Sequence, residues 1–162
     1  MHARSTIDAW LSQINPDDPS LLLDLEGQCQ LIRSPSEMCT LFLPANTSEA
    51  VMLYSHLWQL SGEVSANQYE ALLGLNTLGI KTLGCTLGLD AHVRSLVLSY
   101  SLPLKGCDLD GFCSAVDSFF SATGQVRKEI DAALKPKALR PPHALAGRAG
   151  NALQQSRFLE KG

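Results

Sequence analysis

Ile7, Trp10, Leu11 and Ile14 fall at i, i+3, i+4 and i+7, the spacing of one helix face. Ser5 is placed to cap this helix and Pro16 to end it. The helix is short, so its apolar stripe serves equally well as core or as a surface for a partner. Residues 28–32 and 38–43 then read as strands, joined by the polar turn 33–37, whose Pro35 has no N–H to give to a sheet ladder. Together they predict a hairpin. Residues 44–48 form a second turn, and the run 50–60 follows. It fits two periods: Met52, Tyr54, His56 and Trp58 alternate with Val51, Leu53 and Leu57 as in a strand, yet Leu53, Leu57 and Leu60 also satisfy a helical stripe. Local pattern leaves both open.

Further along, Ser65-Ala-Asn-Gln68 matches a capping box, Tyr69, Leu72, Leu73 and Asn76 repeat at helical spacing, and Gly79 lies near the expected stop. A strand punctuated by Gly84 and Gly88 comes next. In the strand after it, Leu96, Leu98, Tyr100 and Leu102 share a face, and Pro103 closes it. Asp108 or Asp110 caps a last helix, on which Phe112, Val116, Phe119 and Thr123 form a stripe that Val126 and Ile130 extend, with Phe119 and Phe120 anchoring it on a sheet. The predicted class is α+β, with antiparallel pairing favoured over βαβ crossovers.

Composition narrows what such a fold does. The 162 residues are enough for one domain that folds without metal or disulfide staples. Charged residues make up 18% against 45% hydrophobic, sparse for a small monomer and a hint of surfaces buried by association. No apolar run approaches a membrane span, and the first residues do not resemble an export signal, so a cytoplasmic protein with no membrane insertion is expected. Charge is uneven. Residues 1–134 hold 7 Lys and Arg against 15 Asp and Glu, while residues 135–162 hold 6 against 1; a body of net −8 carries a tail of net +5, giving the chain its −3. Residues 1–134 are read as the domain. Residues 135–162, rich in proline and glycine, are read as a flexible or peripheral tail, too sparsely basic and aromatic to predict a nucleic-acid partner.

Chemistry is thin. Cys29, Cys39, Cys85, Cys107 and Cys113 show no paired spacing and lie mostly in apolar patterns, so they are read as reduced, packed thiols. His2, His56, His92 and His143 are scattered, which predicts no metal site. The segment 83–88 has two glycines but no lysine to engage phosphate, and Asp17, Asp18, Asp108 and Asp110 sit where turns and helix caps need them. No catalytic residue, cofactor or enzymatic activity is predicted.

Taken together, the helix around Trp10, the strands at 28–33 and 38–43, the helix with Leu72-Leu-Gly-Leu-Asn76, the segments Leu87-Gly-Leu-Asp90 and Ser95-Leu-Val-Leu98 through Pro103, and the closing helix after Asp108-Leu-Asp110 resemble the class I type III secretion chaperones, the Tir chaperone family. The resemblance covers about residues 5–134 and implies that the run 50–60 is a third strand, giving the order α-β-β-β-α-β-β-α. It implies a homodimer that binds an unfolded segment near the N-terminus of a secreted effector, keeps it soluble and presents it to the secretion apparatus and its ATPase. On that pattern Ile7, Trp10, Leu11, Ile14, Leu31, Leu41, Leu43, Leu53 and Leu57 are expected to bind effector, and Leu72, Leu73, Asn76, Leu83, Cys85 and Leu87 to form the dimer contact. The basic tail and the mild overall charge depart from the family pattern. Two competing readings are a regulatory interaction protein that sequesters a transcription or secretion regulator, and a small enzyme built on the cysteines and His56.

Overall fold

The computed structural model describes residues 3–18, 20–45 and 49–135; nearly all of the basic tail therefore lies outside the described residues. Along the chain run α1 (Ala3–Ile14), β1 (Gln28–Ser34), β2 (Glu37–Phe42), β3 (Ala50–Gln59), α2 (Ala66–Gly74), β4 (Thr86–Asp90), β5 (Ser95–Pro103) and α3 (Leu109–Leu134), with a 3-10 turn at Thr77–Gly79. The strands form one sheet in the order β1-β2-β3-β5-β4. Every neighbouring pair is antiparallel. The fold is thus α+β in the expected order, and the run 50–60 is a strand over Ala50–Gln59.

Strand pleating sorts the sheet residues onto two faces. Register places Cys29 opposite Leu41, Leu41 opposite Leu53, Leu53 opposite Tyr100 and Leu98 opposite Leu87, so these belong to one face. All but the half-buried Tyr100 are buried. β3 changes register between His56 and Trp58, a bulge that leaves Leu57 buried without a partner of its own. Across this face lies α3, packed on β2, β3 and β5. Its stripe of Phe112, Phe119, Val126 and Ile130 is at most 1% exposed, and each such side chain contributes about 1.5–3 kcal/mol by leaving water. From α1, Ile7 and Leu11 are fully buried, and Trp10 lies 5.3 Å from Phe112 between ring centroids. On the opposite face, Gln30, Ile32, Thr40, Tyr54 and His56 are half-buried or exposed.

Helix boundaries follow from their caps. At α2, Ser65 accepts from the Gln68 backbone N–H while the Gln68 side chain accepts from the Ser65 N–H, completing the expected capping box. The same Gln68 donates through Nε2 to the Leu134 carbonyl at 2.7 Å, joining the start of α2 to the end of α3. Asp108, rather than Asp110, caps α3, its carboxylate accepting from the Gly111 N–H at 2.8 Å. α1 begins at Ala3, two residues before the expected Ser5 cap, and stops just ahead of Pro16.

The largest departure from expectation lies between α2 and β4. The helix ends at Gly74 instead of reaching Gly79, and Gly84 sits in a turn ahead of β4 rather than inside the strand. Gly79 and Gly84 both have positive φ, and the Gly84 N–H donates to the Gly79 carbonyl at 2.9 Å. That loop reverses the chain where an extended strand would have carried it past the sheet.

Replacing Phe112 with alanine is expected to destabilise the protein by about 3–5 kcal/mol, because the ring is fully buried between α1 and the sheet; chemical denaturation measures it. Burial pushes the Cys39 thiol up to about 12 and the Cys85 thiol up to about 11. At pH 8 the Cys39 thiolate fraction is then about one in ten thousand, so a thiol reagent should leave Cys39 and Cys85 unlabelled in the native protein and modify them after unfolding. Mass spectrometry of the labelled peptides decides; rapid native labelling of Cys39 would contradict the packing described.

Candidate functional site

Among the described residues, two surfaces keep large apolar side chains exposed, and each is held in place by polar contacts. The first begins where α1 ends. Asp8 on α1 accepts from the Leu23 N–H at 3.0 Å, and Arg4 donates to the Leu23 carbonyl at 2.6 Å, so the segment leading to β1 is fastened along the helix. The Asp24 carboxylate accepts from the N–H groups of Glu26 and Gln28, turning the chain into β1. Gly27 is required at that turn. Its φ is 81°, and a Cβ there would come within 2.5 Å of the Leu43 carbonyl oxygen.

What results is a groove of about 530 Å³ between α1, β1 and α3, lined by Ile14, Leu21, Leu31, Ile32, Val116 and Phe120 among others. Leu22, Leu25 and Met38, outside the lining, are also exposed, Leu25 completely. β1 pairs with β2 alone, so no described strand occupies its other edge. Arg33 spans the groove wall. Its guanidinium pairs with Asp117 on α3 and lies 4.5 Å above the Phe120 ring. Both partners are solvent-exposed, so the pair fixes position more than it adds stability. Asp18 lies at the rim, and its bonds from the Ser20 hydroxyl and N–H hold its carboxyl below the usual value, keeping it charged.

The second surface surrounds β4, the other edge strand. Leu73, Leu78, Ile80, Leu83, Leu89 and Val93 all stand exposed, Leu78 at 86%. Leu78 and Leu83 adopt φ of 57° and 52°, a left-handed conformation that costs a leucine about 1–2 kcal/mol. Lys81 ties the loop to α3 through Glu129 at 3.2 Å. Asn76 then closes the strand edge. Its amide donates to the Leu87 carbonyl at 2.9 Å and accepts from the Leu87 N–H at 2.8 Å, taking both outward main-chain groups of that residue.

The residues singled out from sequence divide sharply between these surfaces and the core. Ile7, Leu11, Leu31, Leu41, Leu43, Leu53 and Leu57 are buried, Trp10 is half-buried against Phe112, and Ile14 alone of that group is exposed. In the second group Leu72, Cys85 and Leu87 are buried, Asn76 is half-buried, and Leu73 and Leu83 are exposed. Periodicity missed Ile32 at the groove, the exposed Leu22, Leu25 and Met38 outside it, and Leu78, Ile80, Leu89 and Val93 around β4. A signal existed at Ile32 and Met38: each is an apolar residue directly beside a buried strand residue and so breaks the two-residue alternation.

Nothing in either surface assembles a reacting centre. His56 packs edge-on to Tyr54 on the open sheet face, and all five thiols are shifted upward, burial being the leading cause. Among the described residues no three His, Cys, Asp or Glu side chains are grouped to hold a metal ion. No described helix is long and apolar enough to cross a membrane.

Solved structures share this architecture. The ExsC-ExsE complex matches with a TM-score of 0.66 at 18% identity over 79% of this chain and 96% of that one. A chain of the heterodimeric ExoU-SpcU complex from the type III secretion system of Pseudomonas aeruginosa matches with a TM-score of 0.56 at 16% identity, over 81% and 99%. The Yersinia pestis type III secretion chaperone SycH, bound to a fragment of YscM2, gives 0.53 at 11%, over 75% and 97%. At these identities the likeness is one of fold. Among curated proteins none matches the chain by sequence. The model of the Tir chaperone protein (CesT) family matches residues 11–127, which span α1 from its core residue Leu11 through most of α3, and the chain therefore belongs to that family.

Proposed function

We propose that this protein is a cytoplasmic type III secretion chaperone that binds an unfolded segment near the N-terminus of one or more secreted effectors. It keeps that segment soluble and directs it to the secretion apparatus and its ATPase. The observation that carries this reading is the apolar groove between α1 and α3 beside the open edge of β1. An extended segment has two needs there: partners for its main-chain groups, which a free strand edge supplies, and pockets for alternate side chains, which Ile14, Leu21, Ile32 and Phe120 supply. The resemblance to chains crystallised in chaperone–effector and chaperone–fragment complexes supports it.

The protein works as a homodimer through the β4 surface. Six large exposed apolar residues, two of them held in a left-handed backbone, favour association there. Asn76 already uses the outward groups of Leu87, so the contact rests on side chains from α2, the 3-10 turn and β4 rather than on a sheet continued from one protomer into the next. Leu73 and Leu83 contribute directly; Leu72, Cys85 and Leu87 support them from beneath.

Co-expression with candidate effectors tests the main reading. Effector should co-purify through a segment near its N-terminus, and Ile32→Asp should reduce retention by roughly tenfold or more, since an exposed apolar contact of this size is worth about 1.5–3 kcal/mol. If no secreted protein is retained, the proposal fails. Light scattering tests the pairing: the unsubstituted chain should have the mass of a dimer at micromolar concentration and Leu73→Asp that of a monomer, because a buried unpaired charge costs several kcal/mol. A normal dimer in that variant would move the interface elsewhere.

A further inference from the structure

The groove carries a charge pattern that its apolar lining does not explain. One bank holds Asp18, in the turn after α1 and next in sequence to Asp17; the other holds Asp117 on α3, whose charge, like that of Asp110, raises the thiol of the groove-lining Cys113. Arg33 is the single cation among the described residues of the lining, and Asp117 already engages it. An occupant suited to this groove combines spaced apolar side chains with basic ones.

The chain contains such a segment. Residues 136–162 hold Lys137, Arg140, Arg148, Arg157 and Lys161 against Glu160 alone, interleaved with Leu139, Leu145, Leu153, Phe158 and Leu159. We infer that this C-terminal segment docks in the groove of its own chain as a stand-in for the effector segment, covering the apolar lining until effector displaces it. The inference rests on the chaperone reading above and adds to it a regulator of the same site.

Connection and reach agree with this. Lys135 leaves α3 with extended backbone, φ −61° and ψ 136°, and Pro136 follows, so the helix cannot run on and the chain is free to change direction. Phe120 in the groove lies fourteen residues before Leu134, about 21 Å along the helix at 1.5 Å per residue. Twenty-seven residues span roughly 29 Å even as a coil, so the groove is within reach without full extension. Tethering also sets the competition. A segment joined by a short connection acts at about millimolar effective concentration, so even weak intrinsic affinity keeps the groove occupied, and an effector that binds more tightly still replaces it.

The test uses a fluorescein-labelled synthetic peptide of residues 136–162 and the full-length protein carrying Arg140→Glu, Arg148→Glu and Arg157→Glu, which weaken the tethered copy. The peptide is expected to bind this variant saturably and the unsubstituted chain roughly tenfold or more weakly, because there the groove is already filled. Adding Ile32→Asp, or separately Asp17→Lys with Asp18→Lys, to the triple variant should abolish peptide binding, while Leu73→Asp should not. Circular dichroism confirms that each variant is folded, and having two groove variants guards against one that is not. Absence of peptide binding to the triple variant, equal binding to both proteins, or binding indifferent to both groove variants would overturn the inference. If the peptide fails while effector is still retained, only this inference falls; if the peptide binds while no effector is retained, the chaperone reading falls instead.

Discussion

The whole structure depends on one act of burial: the aromatic and aliphatic stripe of α3 laid across one face of a five-stranded sheet. Phe112, Phe119, Val126 and Ile130 meet Leu41, Leu53 and Leu98 there, and α1 completes the layer through Ile7, Leu11 and Trp10. Helix supply limits what else can be covered. A domain of this size has two helices for the core face and a short third one at its corner, so both sheet edges keep large apolar side chains in water. Such a distribution is the general mark of surfaces that other polypeptide covers.

The two edges are treated in opposite ways. At β4 the main chain is closed by the Asn76 amide and the side chains are pushed outward, two of them by left-handed leucines whose conformation is unfavourable in isolation. At β1 the main chain is left open, and the side chains line a groove whose walls are fixed by Arg4, Asp8 and the Arg33–Asp117 pair. Asn76 thus occupies the outward main-chain groups of Leu87 at one edge, whereas the outer edge of β1 has no strand partner among the described residues, so the two edges offer different chemistry to a partner.

Much of this was readable from the chain. The α3 stripe, the Ser65–Gln68 capping box and the Pro35 turn all announced themselves because each is local: a period, a cap or a missing donor within a few residues. Interaction surfaces were less legible, for a physical reason. Hydrophobic periodicity reports the face that folding buries, so it selected Leu31, Leu41 and Leu53, which belong to the core. An exposed apolar residue can instead break the alternation, as Ile32 does beside Leu31. The Arg33–Asp117 pair, 84 residues apart in sequence, and the Asn76 contact with Leu87 have no local signature at all. Nor does any sequence rule announce a leucine with positive φ.

Gln68 gives the molecule one further property. Its side chain completes the cap of α2 with the carbonyl oxygen and holds the last turn of α3 with the amide nitrogen, so a single residue splices the beginning of one helix to the end of another. The last described turn of α3 is therefore fastened to the first turn of α2, so fraying at the end of one helix is coupled to fraying at the start of the other.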